Sequence, residues 1–162
     1  MTLSVGDTLP DATLLRIGAN GPEQVQIDTL TKDRKVAIFG LPGAYTGTCS
    51  SAHMPSFIRT KDGFDAKGVD EVICVSVNDP FVMAAWGDAT GGTAAGIMLL
   101  GDASAEFTRA IGMNWSAEAV GFFDRSRRYA MFVDDGVVKV LSVEDGPGVC
   151  EISAGEALLA AI

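Results

Sequence analysis

Cys49 stands three residues after Thr46 and four before His53, the only histidine of the chain. A thiol is a nucleophile as its thiolate, and the first turn of a helix favours that anion because its N–H groups lack partners and the dipole's positive end lies there. The loop Leu41-Pro42-Gly43-Ala44-Tyr45 precedes a helix expected to open under a threonine cap near Thr46, which puts Cys49 in such a turn. A cysteine is more often a small buried hydrophobe. Here Gly43, Thr46, Gly47, Thr48 and Ser50 make a poor apolar burial site. About one helical turn separates Thr46 from Cys49, so the hydroxyl can donate to the sulfur or to an oxygen bound beside it. His53 shares a helical face with Cys49, the spacing of a Cys–His nucleophile pair, but no third residue stands at a recognisable orienting distance and packing is its expected role. One histidine and the scattered Cys49, Cys74 and Cys150 lack metal-ligand spacing, and Gly91-Gly92 and Gly146-Pro147-Gly148 read as turns without a phosphate-loop pattern.

The elements that must position these residues follow from hydrophobic periodicity and turn chemistry. Residues 11–17 and 24–27 read as an N-terminal β-hairpin with a loose turn over 18–22. The β-branched run 35–40 is a strand, the helix after it is bent or restarted by Pro55, and the near-continuous apolar run 71–77 is a strand buried on both faces. Asn78-Asp79-Pro80 caps a helix through Phe81 and Trp86, residues 97–100 form a third buried strand, and Ser104 opens a helix to Ile111. Asp134-Asp135-Gly136 joins strands over 128–133 and 137–143, and a last helix runs from Ser153 to Ile162. This order predicts an α/β fold with a βαβ unit over 35–77, in one domain spanning 1–162.

Composition narrows the function. With 12 Lys and Arg against 21 Asp and Glu, the net charge of −9 argues against nucleic-acid binding and anionic membrane surfaces. The longest strongly apolar stretch, residues 94–100 with Gly96 inside it, falls well short of the roughly 20 residues that span a bilayer. The N-terminus lacks a basic and apolar leader pattern, and three unevenly spaced cysteines suit a reducing compartment, so a cytoplasmic protein with free thiols is expected.

The segment Phe39-Gly-Leu-Pro-Gly-Ala-Tyr-Thr-Gly-Thr-Cys49-Ser, followed by His53-Met-Pro-Ser-Phe57, resembles the active-site motif of the peroxiredoxins, in the branch that holds the plant type II and animal peroxiredoxin-five proteins. The resemblance continues through Cys74-Val-Ser-Val-Asn-Asp-Pro-Phe-Val-Met83 with Trp86, and from Arg127-Arg128-Tyr129 to Lys139, and so covers essentially the whole chain. It implies a thioredoxin-like fold, a central mixed β-sheet flanked by helices, and a thiol peroxidase that reduces hydrogen peroxide and alkyl hydroperoxides without metal, flavin or haem. It implies Cys49 as the peroxidatic cysteine that becomes a sulfenic acid, Pro42 as a shield against water, Thr46 as a hydrogen-bonding partner of the peroxide, and Arg128 as the cation that holds the thiolate. Without the resemblance, Arg128 beside Arg125 and Arg127 would pass for a surface charge. A homodimer is also implied, built around the Cys49 loop, with Tyr45, Phe81 and Trp86 suited to its apolar centre.

Reduction of the sulfenic acid leaves alternatives open. Cys74 lies 74 − 49 = 25 residues on, as the second cysteine does in the plant type II branch, but it sits mid-strand, where cysteines are usually inert. Cys150 lies near the place of the animal resolving cysteine, with flanks, Gly148-Val149-Cys150-Glu151, that match that motif only in part. Cys74 is the favoured internal partner, a third route is that neither cysteine resolves and glutathione or glutaredoxin attacks the sulfenic acid directly, and glutathione with glutaredoxin, or thioredoxin, is the expected reductant. Two other readings remain at this point. A thiol–disulfide oxidoreductase suffers because Thr46 occupies the first position of a C-x-x-C pair, and a non-catalytic thioredoxin-like binding or chaperone module would leave Pro42, Thr46, Cys49 and Arg128 without a task.

Overall fold

A computed structural model describes residues 2–162. Seven strands form one mixed sheet. At its centre, β3 (Lys35–Leu41) lies parallel to β4 (Glu71–Ser76), which lies parallel to β5 (Met98–Gly101). The antiparallel β8 (Tyr129–Asp134) and β9 (Val137–Val143) complete one side. The hairpin β1 (Thr13–Gly18) and β2 (Gly21–Gln26) completes the other.

Alternation along β3 divides the core. Val36 and Ile38 join one buried cluster with Tyr129 and Phe107, while Ala37, Phe39 and Leu41 join another with Cys49, Phe57, Phe64 and Trp86. The crossover from β3 to β4 is a helical run whose first part, Cys49–His53, is wound as a π-turn before α2 (Met54–Ala66). Pro55 has no N–H to give and crowds the carbonyl four residues back; the wider turn ahead of it accommodates this without breaking the helix. The βαβ unit and the N-terminal hairpin are therefore present as expected.

Several boundaries move for identifiable reasons. The hairpin turn is tight rather than loose, because Gly21 adopts φ 102° and strands pair up to Gly18↔Gly21. Ile27 starts the short helix α1 (Ile27–Thr31) instead of ending β2. After β4, Asp79 caps α3 (Pro80–Thr90) as expected, its carboxylate accepting from Val82 N–H at 2.9 Å. Ser104 does not open α4 (Glu106–Ala110); the buried carboxylate of Asp102 does, accepting from the N–H groups of Phe107 and Thr108. Residues 114–126, unassigned from sequence, make a separate ribbon of β6 (Asn114–Ala117) and β7 (Phe122–Ser126). Arg128 lies just before β8 rather than within it, and the final helix α5 (Gly155–Ala161) starts two residues after Ser153, whose hydroxyl is bound elsewhere.

Candidate active site

Cys49 is 1% exposed, at the base of an opening of about 270 Å³ that is lined by Pro42, Thr46, Cys49, Phe122, Arg128 and Pro147 among others. Four residues singled out from sequence, separated by up to 86 positions (128 − 42), thus meet at one opening. β3 ends at Leu41, and the loop after it turns back through Tyr45 at φ 64° to start the helical run, which leaves Pro42 buried. The expected threonine cap is absent: the Thr46 hydroxyl donates to the Gly43 carbonyl at 2.6 Å, so its lone pairs, not its proton, are available to a molecule in the opening.

Arg128 is 2% exposed, and each side of its guanidinium has a partner. Nη2 donates to Cys49 Sγ at 3.2 Å and to the Pro147 carbonyl at 2.8 Å, and Nε reaches the same carbonyl at 3.3 Å. Nη1 lies 3.0 Å from His53 Nδ1. Arginine has no lone pair to offer, so Nδ1 accepts, and the imidazole proton sits on Nε2, which donates to the Ser153 carbonyl at 3.0 Å. Complete burial and then the Arg128 charge push His53 down to about 3, so the ring is neutral near neutral pH. His53 is not paired with the sulfur. It packs against Phe39 and Phe57 and helps to hold the arginine, a role close to the packing expected from sequence.

The other two cysteines lie outside the opening. Cys74 is wholly buried in β4, paired to Phe39 on one side and Leu99 on the other, and burial pushes its thiol well above the ordinary range. Cys150 is partly exposed in the loop that follows β9; burial raises its thiol too, with Arg128 acting against that rise. All three cysteines are free.

Some contacts carry no sequence signature. Arg125 on β7 donates to the Pro42 carbonyl at 3.1 Å and stands where a Cβ on Gly43 would fall, which ties the loop to the ribbon. Pro147 acts through its carbonyl, an atom every residue type possesses. Trp86 is 1% exposed with its indole N–H donating to Ser50 Oγ at 3.0 Å, so it buttresses the Cys49 helix and cannot serve at an exposed interface, unlike Tyr45 and Phe81.

The Redoxin family profile matches residues 4–159. Peroxiredoxin-2E-2 of Oryza sativa, a chloroplastic protein, is 48% identical over 98% of this chain and 72% of its own length. The chain belongs to the peroxiredoxins. Peroxiredoxin-2B of Arabidopsis thaliana is 40% identical over 99% of this chain and 98% of its own. Among solved structures, the reduced Prx3 of Vibrio vulnificus in complex with hydrogen peroxide matches with a TM-score of 0.92 at 44% identity, covering 99% of both chains. Peroxiredoxin 5 of Alvinella pompejana matches with 0.85 at 32% identity, over 98% of this chain and 97% of its own. As a peroxiredoxin the chain is a thiol peroxidase on a thioredoxin-like fold, which sets aside the binding-module reading.

Proposed function

We propose that Cys49 is the nucleophile of a peroxidase acting on hydrogen peroxide and small alkyl hydroperoxides. The observation that carries this reading is the 3.2 Å contact of Arg128 Nη2 with Cys49 Sγ inside an opening that also presents Thr46. The thiolate attacks the terminal peroxide oxygen, the S–O bond forms as the O–O bond breaks, and the leaving oxygen departs with a proton as water or alcohol. Arg128 stabilises the thiolate first and then the charge that moves onto the leaving oxygen. Because the Thr46 hydroxyl is spent on Gly43, its oxygen accepts from the peroxide O–H and aims the O–O axis at the sulfur. Buried Pro42, held through its carbonyl by Arg125, keeps bulk water from the sulfur.

An external thiol, glutathione with glutaredoxin or thioredoxin, then attacks the Cys49 sulfenic acid, releasing water and forming a mixed disulfide that a second thiol resolves. Three features support this over an internal pair: Cys74 is locked between β3 and β5, its thiol is disfavoured as an anion, and Cys150 shares that disfavour. Three free thiols also fit a reducing compartment such as the cytoplasm. Peroxide consumption by the wild type and by Cys49→Ser is the first test, and full loss in the variant is expected. Mass spectrometry after one equivalent of peroxide is the second. A gain of one oxygen on Cys49 is expected; a loss of two hydrogens would assign an internal disulfide instead.

A further inference from the structure

The residue that follows β9 is acidic and nearly sealed from water. Glu144 is 4% exposed, and among the described residues no Lys or Arg forms an ion pair with its carboxylate. Its Oε2 accepts instead from the N–H groups of Glu151 and Ser153 at 2.7 and 3.1 Å and from the Ser153 hydroxyl at 2.7 Å. Burial pushes this carboxyl up, but the Ser153 hydroxyl and the backbone donors outweigh burial and hold it below the usual range, so it is ionised near neutral pH. A buried charge with dipolar partners alone is costly to keep, and its donors must be ordered to keep it.

Those donors close a loop over the active site. The Glu144 main chain is fastened to the catalytic arginine segment, its N–H donating to the Arg128 carbonyl at 2.9 Å and its carbonyl accepting from Arg127 at 3.3 Å. Its side chain is fastened to Glu151 and Ser153. The strap between, residues 145–152, has neither helix nor strand and contains Gly146-Pro147-Gly148. Yet this strap and its anchor supply the Pro147 carbonyl to Arg128, the Gly148 carbonyl to the Thr48 hydroxyl at 3.4 Å, and the Ser153 carbonyl to His53.

We propose that Glu144 is a positioning residue for the peroxidase reaction: its carboxylate latches the 145–152 strap at Glu151 and at its anchor Ser153, the Pro147 carbonyl so held keeps Arg128 against Cys49, and the Ser153 carbonyl holds His53 where its Nδ1 accepts from Arg128. This rests on the reading of Arg128 as partner of the thiolate. An arginine side chain has many rotamers, and the guanidinium stays against the sulfur as long as its other donors have fixed acceptors. With the latch released, the acceptors move, the thiolate loses its cation for part of the time, and the transition state loses the same donor.

The test compares wild type, Glu144→Gln, Glu144→Ala and Asp145→Asn. Asp145 is exposed and makes no side-chain hydrogen bond among the described residues. Two readouts are needed: the pH profile of iodoacetamide alkylation, followed on the Cys49 peptide by mass spectrometry, and the stopped-flow rate with hydrogen peroxide. Glu144→Gln keeps the shape and removes the charge; its alkylation profile should move to higher pH and its peroxide rate should fall about tenfold at neutral pH, as expected for weakening of hydrogen bonds to a charged group. Glu144→Ala should lose more, and Asp145→Asn should match wild type. A folded Glu144→Gln protein with the wild-type profile and rate overturns the proposal, even if it is less stable. Should Glu144→Ala fail to fold, Glu144→Gln alone decides. The alkylation profile needs no peroxide, so a wild type that fails to consume peroxide would count against the peroxidase reading and leave the latch to be judged by alkylation.

Discussion

Arg128 touches Cys49, His53 and Pro147 with different hydrogens of one guanidinium, and that division sets what each substitution should do. Arg128→Met removes the cation from the sulfur and from the developing charge, so the peroxide rate should fall about a hundredfold or more, the range for losing one such donor. The loss should persist at a pH that fully ionises Cys49, because the transition state needs the donor as well. Arg127 is exposed and reaches the Glu144 carbonyl rather than the sulfur, so Arg127→Met should cost little; stopped-flow rates for both variants across pH decide this. His53 makes a prediction about stability. Its folded value of about 3 lies below the ordinary 6.5, so the unfolded chain binds the extra proton between these values. Its contribution is complete above pH 6.5 and is lost as pH falls towards 3, with a slope of up to about 1.4 kcal/mol per pH unit. It is the single histidine, so urea denaturation between pH 6.5 and 5, above most carboxylate titrations, should show this slope, and His53→Gln should flatten it.

At the scale of elements, the site depends on helix starts whose capping groups lie at different distances in sequence. Asp79 caps α3 from the adjacent position, as sequence rules anticipate. Asp102 caps α4 from across a turn, accepting from Phe107 and Thr108 N–H and from the Thr108 hydroxyl while 1% exposed. Asp102→Ala strands these donors in the core and should cost about 2–4 kcal/mol by urea denaturation, given what orphaned buried donors and lost caps cost. It touches nothing in the opening, so the peroxide rate of the folded variant should equal that of wild type. The π-turn at Cys49–His53 has a different consequence. Its wider winding lets Pro55 stay in the helix, and the sulfur remains at the floor of the opening while α2 packs Phe57 on Phe39 at 4.0 Å between ring centroids.

For the whole molecule, the exposed aromatics ask for a partner. Tyr45 and Phe81 are 59% and 64% exposed, and their segments are joined where Ala44 N–H donates to Asn78 Oδ1 at 3.0 Å. Exposed aromatic side chains on two joined segments beside the active-site loop suit the apolar centre of an interface, and we propose a homodimer through this face. Sedimentation of the reduced protein at micromolar concentration should give the mass of two chains, and Phe81→Asp should shift it towards one. A single-chain mass for wild type would rule this out. Each chain carries a net charge of −9, so added salt should tighten the dimer by screening repulsion.

Sequence by itself determined the parts that rest on local pattern. Apolar runs marked β3 and β4, and Asp134-Asp135-Gly136 marked a hairpin, which the structure narrows to a two-residue turn at Asp135 and Gly136 with φ of 49° and 78° because Asp134 ends β8. The glycine- and hydroxyl-rich segment marked Cys49 as the candidate nucleophile, and the helix start expected there is present. The extended motif named the family and brought in Pro42, Thr46 and Arg128. Tertiary structure alone decided that Trp86 faces inward, that Arg125 reaches the Pro42 carbonyl, and that Arg128 is held by Pro147 and His53. It also decided that Glu144, an ordinary acidic residue after a strand, closes the strap above the site. The division has a physical cause. Helices, strands and turns are set by neighbours along the chain, whereas a backbone carbonyl has no residue type to announce it and reaches its donor only after the sheet has brought distant segments together.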